Sequence, residues 1–118
     1  KQSESIGATL GIPASEITFE QFLDVIDEQP SREQDPHWRR QADHLGWEII
    51  DYAAAIHLEN LDASWDQVAD LTGIPHLHET FYCKNSTGAS AKVDEYFTPE
   101  LRTKVARIYE ADYSAFGY

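Results

Sequence analysis

Several groups of residues in this chain combine side chains that can do chemistry. His37-Trp38-Arg39-Arg40 places an imidazole, an indole and two guanidinium groups in consecutive positions. Such a set can take a proton, carry a sugar ring on the tryptophan face and hold an anionic substituent, which makes His37 a candidate base and His37, Trp38 and Arg39 candidate substrate contacts. Lys84-Asn85-Ser86-Thr87-Gly88 offers an ammonium, an amide, two hydroxyls and a flexible glycine, a combination suited to a phosphate. His76-x-His78 with Cys83 nearby imitates a metal site, yet a fourth ligand at sensible spacing is absent and no metal is expected. The chain closes on Ile108-Tyr-Glu-Ala-Asp-Tyr-Ser-Ala-Phe-Gly-Tyr118, with three aromatics in its last six positions. A free terminus that merely frayed would not need them, so the tail is expected to dock on something.

Each group also has a plainer explanation. Trp38 could anchor its loop on the core while the arginines offset Glu33 and Asp35. The 84–88 segment could be a solvent loop whose Ser and Thr make local turns, and Asn85-Ser86-Thr87 would be a glycosylation sequon in a secretory compartment. Glu59 could cap a helix or pair with a base, Cys83 is a small core residue, and the acids between Glu16 and Asp35 read as a solvated face.

Composition narrows the classes. The length, 118 residues, fits one domain, and 42% hydrophobic with 25% charged residues is ordinary for a globular protein. A formal charge of −12 argues against general affinity for nucleic acid, anionic membranes or polyanionic glycans. No apolar run has the length of a membrane span, and the first residues lack the parts of a secretory signal. A lone cysteine permits no internal disulfide and leans, with the alanine- and aspartate-rich composition, towards a bacterial cytoplasm; a secretory lumen stays open.

The elements that must position these groups follow from periodicity and capping. Residues 1–17 read as irregular, with Gly7, Gly11 and Pro13 interrupting any period. Thr18 opens a helix, with Gln21 completing a capping box and Phe19, Phe22, Leu23 and Ile26 forming one stripe; Pro30 stops it. A polar loop then runs from Gln29 to about Gln41. Trp47 to Leu58 is rich in Ile and Tyr, and its second half, Ala53 to Leu58, is expected to be a strand. Asp62 or Ser64 caps a short helix that Gly73 and Pro75 end, and a long connection spans His76 to Phe97. Thr98-Pro99-Glu100 starts a last helix whose stripe, Leu101, Val105, Ile108 and Tyr109, runs into the aromatic tail. A single strand cannot satisfy its backbone groups alone, so the chain looks like the C-terminal portion of a larger α/β unit or one partner of an assembly.

The order of signals resembles the C-terminal portion of the carbohydrate-type sulfotransferases: "ITFEQFLDVI", "DPHWRRQ", a strand into "HLENL", "LTGIP", "KNST" and "YFTPELRTKVARIYEADYSAFGY" occur in that family's sequence, from about Ile17 to Tyr118. The most specific elements are Tyr109, Asp112, Phe116, Gly117 and Tyr118, then His37, Trp38 and Gln41 as HW-x-x-Q. The resemblance implies an α/β, P-loop-like domain of which residues 1–118 are the C-terminal part, this part being mostly helical with one or two short strands and long loops. It implies transfer of a sulfuryl group from 3'-phosphoadenosine 5'-phosphosulfate to a hydroxyl, usually of a sugar, without a metal. It places the 84–88 loop over the nucleotide, and the aromatic tail in the core with Gly117 turning between two buried rings. The 5'-phosphosulfate loop, the 3'-phosphate motif and the usual catalytic base are implied to lie upstream, in a missing N-terminal part of the same domain. The competing expectation is a non-enzymatic, acidic, helical interaction module.

Overall fold

A computed structural model describes residues 2–80 and 88–118 and consists of helices and loops, with no strand among the described residues. In chain order the helices are α1 (Gln2–Leu10), α2 (Phe19–Glu28), α3 (Gln41–Leu45), α4 (Leu61–Thr72), α5 (Val93–Tyr96), α6 (Pro99–Ile108) and α7 (Glu110–Phe116). Short 3₁₀ turns at Ala14–Glu16, Ser31–Glu33, Leu58–Asn60, Leu77–Thr80 and Ala89–Lys92 join them. No helix among the described residues is long and apolar enough to cross a membrane.

The two helices with the clearest capping signals form the centre. Thr18 caps α2 in a reciprocal box: its hydroxyl accepts from the Gln21 amide and the Gln21 side chain accepts from the Thr18 amide. Thr98 caps α6 one way, its hydroxyl accepting from the Leu101 amide, with Pro99 at the first helical position. Each cap contributes about 1 kcal/mol, so both starts are specified by residues within one turn of the helix. The apolar stripes then face each other. Leu23 and Ile26 of α2 meet Ile108 of α6 in the buried centre, ringed by Phe19, Phe22, Trp38, Leu101, Val105 and Tyr109. On the outer edge of the same pair, Lys104 bridges to Asp24 and Arg107 to Asp27. These are exposed ion pairs that fix register more than they stabilise.

The irregular reading of residues 1–17 is overturned over Gln2–Leu10, which is helical, with Ile6 buried. Gly7 sits inside that helix because a Cβ there would lie 2.7 Å from the Ile12 carbonyl oxygen; the glycine serves close approach of the chain rather than a break. The expected strand at Ala53–Leu58 is also corrected. Residues 51–57 carry no regular element, and Leu58 begins a 3₁₀ turn. The physical reason is the one that made a lone strand suspect: no second strand among the described residues supplies the hydrogen bonds of a ladder.

Among the described residues from Leu45 to Tyr96 the chain buries little. Ile49 is 89% exposed and Leu58 78%, and α4 has no buried residue. The radius of gyration, 17.2 Å, exceeds the roughly 13–14 Å expected for a compact domain of this length. The core lies at one end, around α2 and α6, and the rest extends from it.

Candidate functional site

The loop before α3 is built from its own side chains. The buried Gln34 donates from Nε2 to the carbonyls of Ile26 and Gln29, tying the loop to the end of α2. Asp35 makes an Asx turn: one carboxylate oxygen accepts from the His37 amide at 2.9 Å and lies 2.6 Å from His37 Nδ1. The amide and then the ring of His37 hold the Asp35 carboxyl below its ordinary pKa. With Nδ1–H given to Asp35, a neutral His37 carries its lone pair on Nε2, on a side chain that is 66% exposed.

The two arginines have other tasks. Arg39 donates to the carbonyls of Arg32 and Gln34, and Arg40 donates from Nε to the carbonyl of Ile108 at 2.9 Å. Neither offsets Glu33 or Asp35 through a direct ion pair among those observed. Trp38 packs edge-on against Phe22 with ring centroids 5.5 Å apart, and its buried indole nitrogen has no hydrogen-bond partner. It is an anchor that also presents atoms to a cleft.

What the tail docks on is this loop. The Asp112 carboxylate, itself buried, accepts from the backbone amides of Gln41 and Ala42, both at 2.8 Å. It therefore caps the first turn of α3 from the other end of the sequence, with charge opposite to the amide ends of that turn. The Tyr109 hydroxyl donates to the Trp38 carbonyl at 2.7 Å. Burial first, and the neighbouring Asp112 carboxylate second, raise the Tyr109 pKa above its ordinary value of 10.0, against the opposing pull of Arg40. Three residues of the tail segment, Ile108, Tyr109 and Asp112, thus bond three successive parts of the loop. The backbone break at Tyr109, between α6 and α7, turns Asp112 towards α3.

Beyond the clamp, Phe116 packs on Trp47 at 4.8 Å and Trp47 stacks on Tyr52 at 5.4 Å. Gly117 has φ +72 and ends α7 in a left-handed cap, as a turn there requires. The turn does not lie between two buried rings: Tyr113 is 41% and Tyr118 54% exposed. The expectation of a wholly buried tail is corrected: Ile108, Tyr109 and Phe116 find apolar cover, while Tyr113 and Tyr118 border open space.

That space is a cleft of about 540 Å³ between loop and tail, lined among others by His37, Trp38, Arg39, Tyr109, Tyr113 and Tyr118. The predicted substrate contacts His37, Trp38 and Arg39 are therefore brought to one wall. Lys84, Asn85, Ser86 and Thr87 lie outside the described residues. Gly88, the end of that predicted loop, has a left-handed backbone with φ +64 and is not among the residues lining this cleft. His76 and His78 approach with ring centroids 6.3 Å apart and His76 faces Glu79, but among the described residues no three His, Cys, Asp or Glu side chains gather as a metal site.

Sequence reasoning missed Asp35 as the partner of His37 and Asp112 as the clamp. The first carried a signal, since Asp two residues before an amide is an Asx-turn pattern. The second carried none, because its partners lie about seventy residues away. A model of the sulfotransferase family matches residues 7–118, which takes in both halves of the clamp. Searches of the curated proteins and of the solved structures returned no significant match.

Proposed function

Because the chain belongs to the sulfotransferase family, we infer that it forms the C-terminal part of a P-loop-like α/β domain that moves a sulfuryl group from 3'-phosphoadenosine 5'-phosphosulfate to a carbohydrate hydroxyl. The observation that carries this reading is the direct bonding of the HW-x-x-Q loop to the Tyr109-x-x-Asp112 helix, the two signatures on which the resemblance rests.

In the mechanism, the acceptor hydroxyl enters the loop–tail cleft beside His37. Its oxygen attacks sulfur in line, its proton passes to His37 Nε2, and the bond from sulfur to the phosphate oxygen breaks with the electron pair leaving on the nucleotide. Asp35 holds the imidazole by Nδ1 and stabilises the cation that forms. Lys84, Asn85, Ser86, Thr87 and Gly88 close the far side of the nucleotide site, and the groups that grip the phosphosulfate come from the remainder of the domain. Arg39, committed to backbone carbonyls, shapes the wall rather than binding an anion.

Transfer of labelled sulfate to a panel of glycans tests this. His37→Ala should lower kcat by about a hundredfold or more, with a melting temperature close to that of the parent. Unchanged turnover removes His37 from the reaction. A full-length protein that neither binds 3'-phosphoadenosine 5'-phosphate nor transfers sulfate favours the acidic interaction module.

A further inference from the structure

A second cavity adjoins the loop–tail cleft. It holds about 230 Å³, and Gln41 and Tyr118 line both spaces, so the two meet at these side chains. Away from that junction its walls come mainly from Leu45, Trp47, Ala54, Ile56 and Phe116. No Asp, Glu, Lys or Arg side chain is among its lining residues. The aromatic wall is held in place by its own contacts. Trp47 lies nearly parallel to Tyr52 at 5.4 Å and meets Phe116 at 4.8 Å with the planes 65° apart, while the Tyr52 hydroxyl donates to the Leu45 carbonyl at 2.7 Å. At the junction His57 packs on Tyr118 with ring centroids 4.7 Å apart. Such walls offer dispersion and ring-edge contacts and few hydrogen bonds, which fits an aromatic ring better than a hydroxyl-rich one. A dry apolar cavity of about 150 Å³ suffices for benzene, so this one has room for a substituted ring.

We propose that this second cavity is an aglycone subsite: the acceptor is a glycoside whose sugar lies in the loop–tail cleft and whose aromatic aglycone enters the space between Trp47, Phe116 and Ala54. The junction suits the glycosidic oxygen and the hydroxyls beside it, because the Gln41 amide and the Tyr118 hydroxyl can each donate and accept there. Seating a ring against rings that already hold one another orders little of the protein, so its contacts go into affinity. The proposal rests on the transferase reading for why a sugar lies beside His37, but its test is a binding measurement that needs no donor.

The full-length protein is titrated with methyl β-galactoside, phenyl β-galactoside and methyl β-lactoside, followed by nuclear magnetic resonance. The phenyl glycoside should bind at least about tenfold more tightly than either of the others, the worth of one ring seated among aromatic partners. Nuclear Overhauser contacts should run from its phenyl protons to the rings of Trp47 and Phe116. Ala54→Phe, in a segment without regular structure, should fill the cavity and reduce the phenyl preference to about twofold while the methyl glycoside binds as before. Should that variant fail to fold, the contacts in the parent protein decide the matter. A lactoside that binds as tightly as the phenyl glycoside makes the subsite one for a second sugar and overturns the proposal. So do equal affinities for the phenyl and methyl compounds, phenyl contacts to other rings only, a preference that survives Ala54→Phe, or no binding of any glycoside by the folded protein. A parallel titration with 3'-phosphoadenosine 5'-phosphate separates the two claims. Nucleotide binding without a phenyl preference sinks the subsite alone, whereas a phenyl preference without nucleotide binding or sulfate transfer sinks the transferase reading alone.

Discussion

The loop–tail clamp and the described residues between Leu45 and Tyr96 end in opposite states. In the clamp, polar groups of residues 38–42 meet those of residues 108–112, and the Asp112 carboxylate, the Tyr109 phenol and the Arg40 Nε each find a partner. In the other segment, isoleucine and leucine side chains that would normally be buried face outward. The difference teaches that apolar content alone does not close a structure. The clamp closes through a few directed bonds between the α3 loop and the α6–α7 break, while exposed apolar side chains have no such directed partner to close on.

The comparison can be broken or sharpened by mutation. The largest effect is expected in the core that the clamp is mounted on: Leu23→Ala should cost about 2–5 kcal/mol in urea unfolding. A loss under 1 kcal/mol would show that the α2–α6 pair is not the centre of the fold. Asp112→Ala should follow at about 3 kcal/mol, since it strips a charged partner from two amides, and Asp112→Asn should retain part of that because its amide oxygen still accepts. Equal losses for the two would mean the charge, and not the capping geometry, matters. Tyr109→Phe should cost about 1 kcal/mol, the net worth of one neutral hydrogen bond. Smallest of all, Ile49→Ser should change stability of this chain by less than about 0.5 kcal/mol. A large loss there would mean that the segment is packed after all and would erase the contrast.

The pH dependence tests the clamp through Tyr109 and the loop beside it through Asp35. Tyr109 has its pKa raised by folding, so its contribution is complete below pH 10 and is lost as pH rises through the elevated value, when the donor to Trp38 disappears. Tyr109→Phe should flatten that alkaline limb. Asp35 has its pKa lowered, so its contribution is present above its ordinary value and fades only as pH falls through the lower one. Asp35→Asn should remove part of the acid limb and leave the alkaline one unchanged.

Much of the frame was legible in residues alone. Thr18 with Gln21, and Thr98 with Pro99, announced the starts of α2 and α6, and Gly73 the end of α4, because capping is decided within a few positions. The Asp35–His37 pair was equally local and could have been read. The strand expected at Ala53–Leu58 was not decidable in the same way, since β structure belongs to a pair of segments and only one was in view. α1 was missed because the glycine taken for a break is there for the Ile12 carbonyl.

The sequence by itself determined the family, the starts of α2 and α6, the acidic composition and the identity of the groups that could take a proton or face a sugar, while the cap expected at Asp62 or Ser64 falls instead on Asn60. Only the tertiary structure decided that Asp112 caps α3, that Arg39 and Arg40 are occupied by carbonyls, and that the terminal tyrosines line a cleft instead of a core. The physical reason is range. Caps, turns and periodicity act over three or four residues and are written in order along the chain. A buried carboxylate, by contrast, chooses among all the unsatisfied amides that folding brings within hydrogen-bond reach.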